Sequence, residues 1–273
     1  MAEPTPPLSS TTSGGMALVR RPGPNLADGI VTHQARQPVD VALALAQWEQ
    51  YRGVLDRSGW PTIEIEPADA CPDAVFIEDT MVMLGRHAVL SRPGAASRTG
   101  ELAGAMAALS ALDGISISRI EAPGTLDGGD VLMVGATVYV GRSGRTNDAG
   151  IAQLATLAEP LGYDVRPVPV TSVLHLKSAV TALPDGTIVG YHPVVDAPDA
   201  FSPYRAMPTE GGAHVVVLAP DHVLMATSSG PAIDLVEQTG VRVSAVDISE
   251  FEKLDGCVTC LSVLVPPAAA PTD

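Results

Sequence analysis

The sequence contains only three cysteines, Cys71, Cys257 and Cys260, in 273 residues. They are too few and too unevenly spaced for a disulfide framework, which favours a reducing cytoplasm. The apolar runs all fall short of the roughly 18 residues that a membrane span needs. The N-terminal region also lacks the basic and apolar segments of a secretion signal. We therefore expect a cytoplasmic protein that does not bind a membrane.

Basic residues are scarce as well. Lys and Arg total 16 against 31 Asp and Glu, which gives a formal net charge of −15. No basic stripe offsets this charge, so a nucleic-acid partner is disfavoured, whereas an acidic pocket would attract a small cationic substrate. Aromatic residues make up 4% of the chain and apolar residues 46%. This composition predicts a compact protein with a core of small aliphatic side chains.

Composition also marks the two ends of the chain. Residues 1–15 are rich in Pro, Ser, Thr and Gly, as disordered segments usually are. Residues 267–273 have a similar composition, and we predict a second short tail there. The intervening residues 16–266 are long enough to bury a substantial core. Length alone allows one large domain or two small ones, and we predict a single domain.

One hairpin pattern occurs twice. Met81–Arg92 and Val131–Arg142 each contain a strand, a glycine, a second strand, and an arginine seven residues after the glycine. Weaker strand–turn–strand copies lie over Ala179–Tyr191 and Val215–Thr227. Units of this size, repeated four or five times, favour a propeller of hairpins and helices over an ordinary layered α/β domain. The strand predicted at Ala17–Arg20 would complete the ring by pairing with the last unit.

Helical spacing of apolar residues predicts helices beside these hairpins. The predicted helices span Val39–Asp56, Gly100–Leu112, Asp148–Leu161 and Pro231–Thr239. Helices are thus predicted after the hairpins over Met81–Arg92 and Val131–Arg142 and after the copy over Val215–Thr227, so the repeated unit is a hairpin plus a helix.

Polar residues directly precede the predicted strands. Val75–Thr80 contains two adjacent carboxylates, Leu126–Asp130 contains two more, and His175 and Cys260 occupy equivalent places in later units. Each is ordinary by itself, because such carboxylates are usually caps and such a histidine usually lies in the core. In a ring, however, strand starts converge on the axis. Together they form a cysteine–histidine–carboxylate set, which can perform nucleophilic and acid–base catalysis.

Three interpretations of Cys260 are open from its local sequence. It can be a small core residue, it can form a redox dithiol or half of a zinc site with Cys257, or it can be a nucleophile. Redox dithiols of this spacing normally open a helix, whereas Cys260 is predicted to open an apolar strand.

Six segments in order resemble the dimethylarginine dimethylaminohydrolases. They are FIEDT, SRPGAASR, LDGGDV, GRSGRTN, LHLKS and DGCVTCLSVLV, and the similarity runs from about Leu18 to Val265. The wider superfamily includes arginine deiminases, agmatine deiminases and amidinotransferases. The resemblance implies an α/β fold with five blades of ββαβ units (the pentein fold), and neither a metal nor an organic cofactor.

The resemblance also implies the catalytic residues. Cys260 corresponds to the nucleophile, His175 to the general acid and base, and Asp127 to the carboxylate that orients the histidine. Cys257 matches nothing catalytic in the family.

Substrate-binding residues are implied in the same way. Asp79, with Glu78 beside it, resembles the acid that binds the guanidinium group, and Phe76 resembles a wall of the pocket. The loop Pro22–Gly29 resembles the family's mobile lid.

The amino-acid end of the substrate has its own implied partners. Asp73 and the backbone carbonyls near Leu26 and Leu254 would hold the α-amino group. Arg98 and Arg145 resemble the arginines that bind the α-carboxylate, which a planar guanidinium fork does well.

The implied reaction is hydrolysis of methylated arginine to citrulline and an amine through an S-linked cysteine intermediate. An alternative keeps the residues and changes the substrate to free arginine or another guanidine. A redox protein using Cys257, and a binding protein on the same propeller, are further alternatives. We expect a small guanidine to be the partner, and a monomer or homodimer.

Overall fold

The computed structural model describes residues 15–268. The two predicted disordered tails therefore lie almost entirely outside the described residues. Within the described range, no helix combines the length and the apolar character needed to cross a membrane.

The described residues form fifteen strands and six α-helices. The strands are β1 (Met16–Val19), β2 (Thr62–Glu64), β3 (Met81–Leu84), β4 (His87–Leu90), β5 (Ser116–Arg119), β6 (Val131–Val134), β7 (Thr137–Arg142), β8 (Asp164–Pro169), β9 (Val180–Ala182), β10 (Ile188–Gly190), β11 (Tyr204–Ala206), β12 (Val216–Ala219), β13 (His222–Ala226), β14 (Arg242–Val246) and β15 (Val263–Val265). The helices are α1 (Val41–Arg57), α2 (Leu102–Ser110), α3 (Asp148–Ala158), α4 (Leu176–Ala179), α5 (Pro231–Glu237) and α6 (Ser249–Glu252).

The strands form five three-stranded sheets with one shared pattern. Their orders are β15-β1-β2, β3-β4-β5, β6-β7-β8, β9-β10-β11 and β12-β13-β14. In every sheet the middle strand pairs antiparallel with the strand before it in the unit and parallel with the strand after it. Five copies of this pattern confirm the predicted five-bladed α/β propeller of ββαβ units.

The parallel pairs need crossover connections, and four of these contain a predicted helix. α1, α2, α3 and α5 lie between the parallel strands of their blades. Asp40 caps α1 by accepting hydrogen bonds from the backbone N–H groups of Ala42 and Leu43, as an N-cap aspartate does. The crossover between β10 and β11 has two 3₁₀ helices, His192–Val194 and Pro198–Ala200, in place of an α-helix. Its prolines prevent an uninterrupted helical hydrogen-bond ladder.

The first blade is built from both ends of the described chain. Within it, β1 pairs antiparallel with β15, with Leu18 opposite Val263, and parallel with β2. This pairing confirms the prediction that the N-terminal strand completes the ring with the last unit.

A short helical turn lies ahead of the hairpin in every blade. These five leading turns are the 3₁₀ helix Ile77–Thr80, the 3₁₀ helix Gly128–Asp130, α4, the 3₁₀ helix Gly211–Ala213 and the 3₁₀ helix Val258–Leu261. Cys260 therefore lies in a helical turn and β15 begins only at Val263. The prediction that Cys260 opens the strand is wrong, because Cys260 lies in the helical turn that precedes β15.

Candidate active site

One cavity brings together most of the residues that the sequence singled out. It is lined by Asp73, Phe76, Asp79, Arg98, Arg145, His175, Leu254 and Cys260, together with Ile30, Leu174, Asp255 and Gly256. Its volume is about 20 Å³, room for about one or two water molecules. Any larger ligand therefore requires the residues around the cavity to move.

His175 lines this cavity, and its buried partner Asp127 lies outside the lining. His175 Nε2 lies 3.0 Å from Asp127 Oδ2, and His175 Nδ1 lies 3.7 Å from Asp79 Oδ1. Burial alone would lower the pKa of His175, but the charge of Asp79 and the hydrogen bond to Asp127 outweigh it and raise the pKa to about 9. His175 is consequently protonated at neutral pH.

Asp79 is held as a carboxylate. Its Oδ1 accepts a hydrogen bond of 2.9 Å from the backbone N–H of Gly129, and its Oδ2 accepts from Arg98 Nη1. Burial would raise the pKa of Asp79, but the cationic His175 and Arg98 reverse that effect and lower the pKa to about 2. A full negative charge is thus fixed beside the histidine.

Arg98 is engaged mainly with the protein. Its Nε and Nη2 each donate to the Glu101 carboxylate at 2.8 Å, and Nη2 also donates to the backbone carbonyl of Phe76 at 2.8 Å. Nη1 donates to Asp79. Of the five guanidinium donors, one on Nη1 is left for a ligand. This differs from the expected role of clamping a substrate carboxylate, because the fork of Arg98 is already occupied.

Glu101 itself was not found from the sequence. It lies in the 3₁₀ helix Ala96–Glu101 and is fully buried, with Arg20 Nη1 3.9 Å away on its other side. Both Arg20 and Glu101 resemble ordinary surface charges in the sequence, so only their three-dimensional surroundings show that they support the cavity.

Of the remaining predicted contacts for an amino-acid end, Arg145, Asp73 and Leu254 line the cavity and Leu26 does not. Arg145 lines the cavity with Nη1 3.6 Å from Asp127 Oδ2, so its fork is less occupied than that of Arg98. Asp73 is buried, and its Oδ1 accepts from the backbone N–H of Ile30 at 2.9 Å. Leu26 is buried in the loop Pro22–Gly29, just before Ile30, and its carbonyl accepts from the backbone N–H of Gly29 at 3.0 Å.

Glu78 lies outside the lining of this cavity. Its Oε1 accepts from Lys177 Nζ at 2.6 Å and its Oε2 accepts from Thr259 Oγ1 at 2.9 Å. All three residues line a separate cavity of about 280 Å³. Glu78 and Asp79 therefore line different cavities, since adjacent residues of the leading turn point in different directions. A contact of Glu78 with substrate stays a prediction.

Two sulfur atoms meet at the base of the cavity. Cys260 Sγ lies 3.3 Å from Cys257 Sγ, and the backbone N–H of Cys257 lies 3.4 Å from Cys260 Sγ. The contact between the two sulfur atoms raises the pKa of Cys260 and lowers the pKa of Cys257. Burial and the nearby carboxylates of Glu78 and Asp79 raise the pKa of the Cys260 thiol further. Cys260 is therefore a neutral thiol until a positive charge enters the cavity.

The residues that follow the lid-like loop Pro22–Gly29 are fastened to the turn before Cys257. Asp255 has a left-handed backbone conformation with φ of 57°. Its Oδ2 accepts from the backbone N–H groups of Thr32 at 2.7 Å and His33 at 3.2 Å, and its Oδ1 accepts from Gln34 Nε2 at 2.8 Å. Next to it, Gly256 packs so closely on the Phe76 ring that a Cβ atom would lie 2.4 Å from the ring.

Among the described residues, Asp79, Asp127 and His175 form a group whose potential metal-ligating atoms all lie within 4.8 Å of one another. The carboxylates already face the cationic side chains of Arg98, Arg145 and His175. These charges are balanced within the protein, which does not favour a metal ion in the same place.

Comparisons with known proteins agree with this geometry. No protein-family model matches the chain. A dimethylarginine dimethylaminohydrolase of Streptomyces coelicolor is 54% identical over 247 residues, covering 90% of this chain and 95% of that protein. The Pseudomonas aeruginosa enzyme, solved as a cysteine-to-serine variant with citrulline, has a TM-score of 0.85 at 31% identity and covers 91% of this chain and 98% of that one. A dimethylarginine dimethylaminohydrolase solved as its adduct with S-methyl-L-thiocitrulline gives a TM-score of 0.85 at 30% identity, with the same coverage.

Proposed function

The chain belongs to the dimethylarginine dimethylaminohydrolase family, and from this membership we infer its reaction. It hydrolyses a C–N bond of Nω-methylated L-arginine and releases L-citrulline with dimethylamine or methylamine. The observation that carries the assignment in this chain is the cavity lined by Cys260, His175 and Asp79, with Asp127 bonded to His175 behind it.

In the first half of the reaction, Cys260 Sγ attacks the guanidinium carbon while Asp79 holds the positive charge of the group. His175 Nε2 faces Asp127, so Nδ1 is the nitrogen directed toward Asp79 and the substrate. Protonated His175 gives its Nδ1 proton to the departing amine nitrogen as the C–N bond breaks. A cysteine S-linked amidino group remains on the enzyme.

In the second half, neutral His175 takes a proton from a water molecule as the water oxygen attacks the amidino carbon. The S–C bond then breaks, citrulline leaves, and His175 is again protonated. The hydroxyl proton of the tetrahedral intermediate ends on the released amine in solution. The cationic methylated arginine plus water thereby gives neutral citrulline plus a methylammonium or dimethylammonium ion. No organic cofactor is needed for this balance.

The cationic substrate also activates the nucleophile. Cys260 is a neutral thiol in the free enzyme because burial and nearby negative groups raise its pKa. A bound guanidinium adds a positive charge within contact distance of the sulfur and favours the thiolate.

For the amino-acid end we propose that Asp73 and the carbonyls of Leu26 and Leu254 hold the α-amino group. Asp73 and Leu254 line the cavity, and the Leu26 carbonyl has a second lone pair beyond its bond to Gly29. Arg145 binds the α-carboxylate. Its geometry supports that role better than the occupied fork of Arg98 does.

We further propose that Phe76 packs against the substrate guanidinium, since its ring lines the cavity and is braced edge-to-face by Phe251 at 6.3 Å between centroids. Three free cysteines and a net charge of −15 support a cytoplasmic enzyme that binds neither nucleic acid nor membrane. We propose a monomer or homodimer, which light scattering during size-exclusion chromatography would distinguish.

The decisive experiment measures citrulline release from asymmetric dimethylarginine, with free arginine as the comparison substrate. We expect the wild-type protein to release citrulline from the methylated substrate and Cys260→Ala to release none. Cys71→Ala is the matched control, because Cys71 is a buried free thiol outside the cavity. Release by Cys260→Ala at the wild-type rate would refute the nucleophile, and release from arginine alone would change the substrate.

A further inference from the structure

A chain of contacts leads away from the nucleophile. Cys260 Sγ lies 3.3 Å from Cys257 Sγ, which lies 3.3 Å from Thr259 Oγ1. Thr259 Oγ1 donates to Glu78 Oε2 at 2.9 Å, and Glu78 Oε1 accepts from Lys177 at 2.6 Å. The first four residues are all more than nine-tenths buried. They connect the catalytic cavity to the separate cavity lined by Glu78, Lys177 and Thr259.

The proposed reaction needs such a path. Cys260 begins as a thiol, so its proton must leave before or as the S–C bond forms. His175 already carries a proton at neutral pH and needs it for the departing amine. Asp79 is already bound by Arg98 and Gly129. The cavity is too small to hold bulk water once a substrate fills it.

We propose that Cys257, Thr259 and Glu78 form a proton relay that takes up the Cys260 proton when substrate binds. Cys260 donates its proton to Cys257 Sγ, the Cys257 proton passes to Thr259 Oγ1, and the Thr259 proton passes to Glu78 Oε2. The electron pair left on Cys260 Sγ forms the bond to the guanidinium carbon. When citrulline departs, the same transfers in reverse return the proton to Cys260, so no other reactant is consumed.

Glu78, at the end of the relay, is suited to accept a proton. Lys177 occupies Glu78 Oε1, which leaves Oε2 for the Thr259 hydroxyl. Burial, only partly offset by Lys177, raises the pKa of Glu78 to about 7. A group with a pKa close to the working pH can both accept and return a proton. The inference rests on the proposed function, because it concerns the proton of that same nucleophile.

The test compares two substitutions at the middle of the relay. Thr259→Val removes the hydroxyl and Thr259→Ser keeps it. For each variant, the pH dependence of kcat/KM on asymmetric dimethylarginine and the solvent deuterium isotope effect would be measured. In the wild type, kcat/KM should rise through about pH 7 as Glu78 loses its proton. Circular dichroism would verify that each variant is folded.

We expect Thr259→Val to lose about 10²-fold in kcat/KM. Its rise in kcat/KM should move to higher pH, because the thiol proton must then go to solvent. Thr259→Ser should restore the wild-type profile and isotope effect. Cys257→Ala should behave like Thr259→Val, and Cys257→Ser should retain the relay.

Identical pH profiles and isotope effects for the valine and serine variants would overturn the relay while leaving the hydrolase assignment intact. Citrulline release that survives Cys260→Ala would instead refute the proposed function itself. Glu78→Gln is a second test if Thr259→Val does not fold, and it should also abolish the rise near pH 7. Persistence of that rise in Glu78→Gln would contradict the relay.

Discussion

At the scale of single residues, the site is a sequence of alternating charges. Cations and anions alternate along it, in the order Arg20, Glu101, Arg98, Asp79, His175, Asp127 and Arg145. Each of these seven charges has an opposite charge beside it, which offsets the cost of burying it. The consequence for chemistry is that His175 stays protonated and Asp79 stays ionised, so the site is prepared for a cation and a leaving amine.

Asp127→Asn tests the orientation of the histidine. The amide keeps the shape of the side chain but removes the charge that favours protonated His175, so we expect the His175 pKa to fall and kcat to decrease about 10²- to 10⁴-fold. The measurement is kcat for citrulline release across pH. Asp148→Asn, at an exposed carboxylate paired with Arg142, is the control and should change kcat little. Equal activity in the two variants would contradict the assignment of Asp127.

The protonated histidine also predicts how stability depends on pH. The pKa of His175 in the folded protein is raised to about 9 from its ordinary value of 6.5. Its contribution to the free energy of unfolding is therefore complete below pH 6.5 and is lost as pH rises through 9. Urea unfolding between pH 6 and about pH 9.5 should show this loss in the wild type. The same slope in His175→Gln would show that another group causes it.

At the scale of elements, the leading turns hold one another in place. Gly129 of the second turn donates to Asp79 of the first, and the backbone N–H of Leu176 in α4 donates to Asp130 at 2.9 Å. His214, directly after the fourth turn, lies 2.9 Å from the carbonyl of Ser178. Because each turn is fixed by its neighbour, the catalytic side chains are positioned by the ring rather than by any single blade.

Asp255 holds residues 32–34, which directly follow the lid-like loop Pro22–Gly29. Asp255→Ala removes the acceptors for Thr32, His33 and Gln34, and places alanine where φ is positive. We expect KM for asymmetric dimethylarginine to rise about tenfold, equivalent to about 1.4 kcal/mol, and the segment 22–38 to be cleaved faster in limited proteolysis.

Asp255→Asn separates the two effects of that substitution. Asparagine tolerates a left-handed backbone and keeps one carbonyl acceptor, so its KM should lie between those of the wild type and Asp255→Ala. If all three proteins have the same KM and the same proteolysis rate, Asp255 does not fasten the lid.

At the scale of the whole molecule, closure of the ring depends on β1. Leu18 is fully buried in a cluster with Ile77, Val263 and Val265, which come from two different blades. The free energy of folding is therefore shared across the ring, and weakening β1 should weaken every blade at once.

Leu18→Ala should destabilise the protein by about 2–5 kcal/mol, the usual cost of such a core truncation. Chemical unfolding followed by both circular dichroism and loss of activity should show coincident transitions. Leu43→Ala is the control, because Leu43 is 43% exposed on α1. Loss of activity well before loss of secondary structure in Leu18→Ala would show that the blades unfold independently.

The sequence by itself determined the repeat, the helices and the order of the polar segments. These features depend on local rules: apolar spacing, turn residues and strand alternation act over a few residues. The hairpins over Met81–Arg92 and Val131–Arg142, and the cysteine–histidine–carboxylate set, could be predicted for this reason.

Only the tertiary structure decided the direction and the partner of each charged side chain. The sequence does not show that Arg98 pairs with Glu101 and Asp79. It also does not show that Glu78 pairs with Lys177, which lies 99 residues away along the chain. Asp255 likewise accepts a hydrogen bond from the backbone N–H of Thr32, which lies 223 residues away along the chain. A buried charge is oriented by whichever opposite charge the fold brings within contact distance, and that distance exists only once the ring has closed.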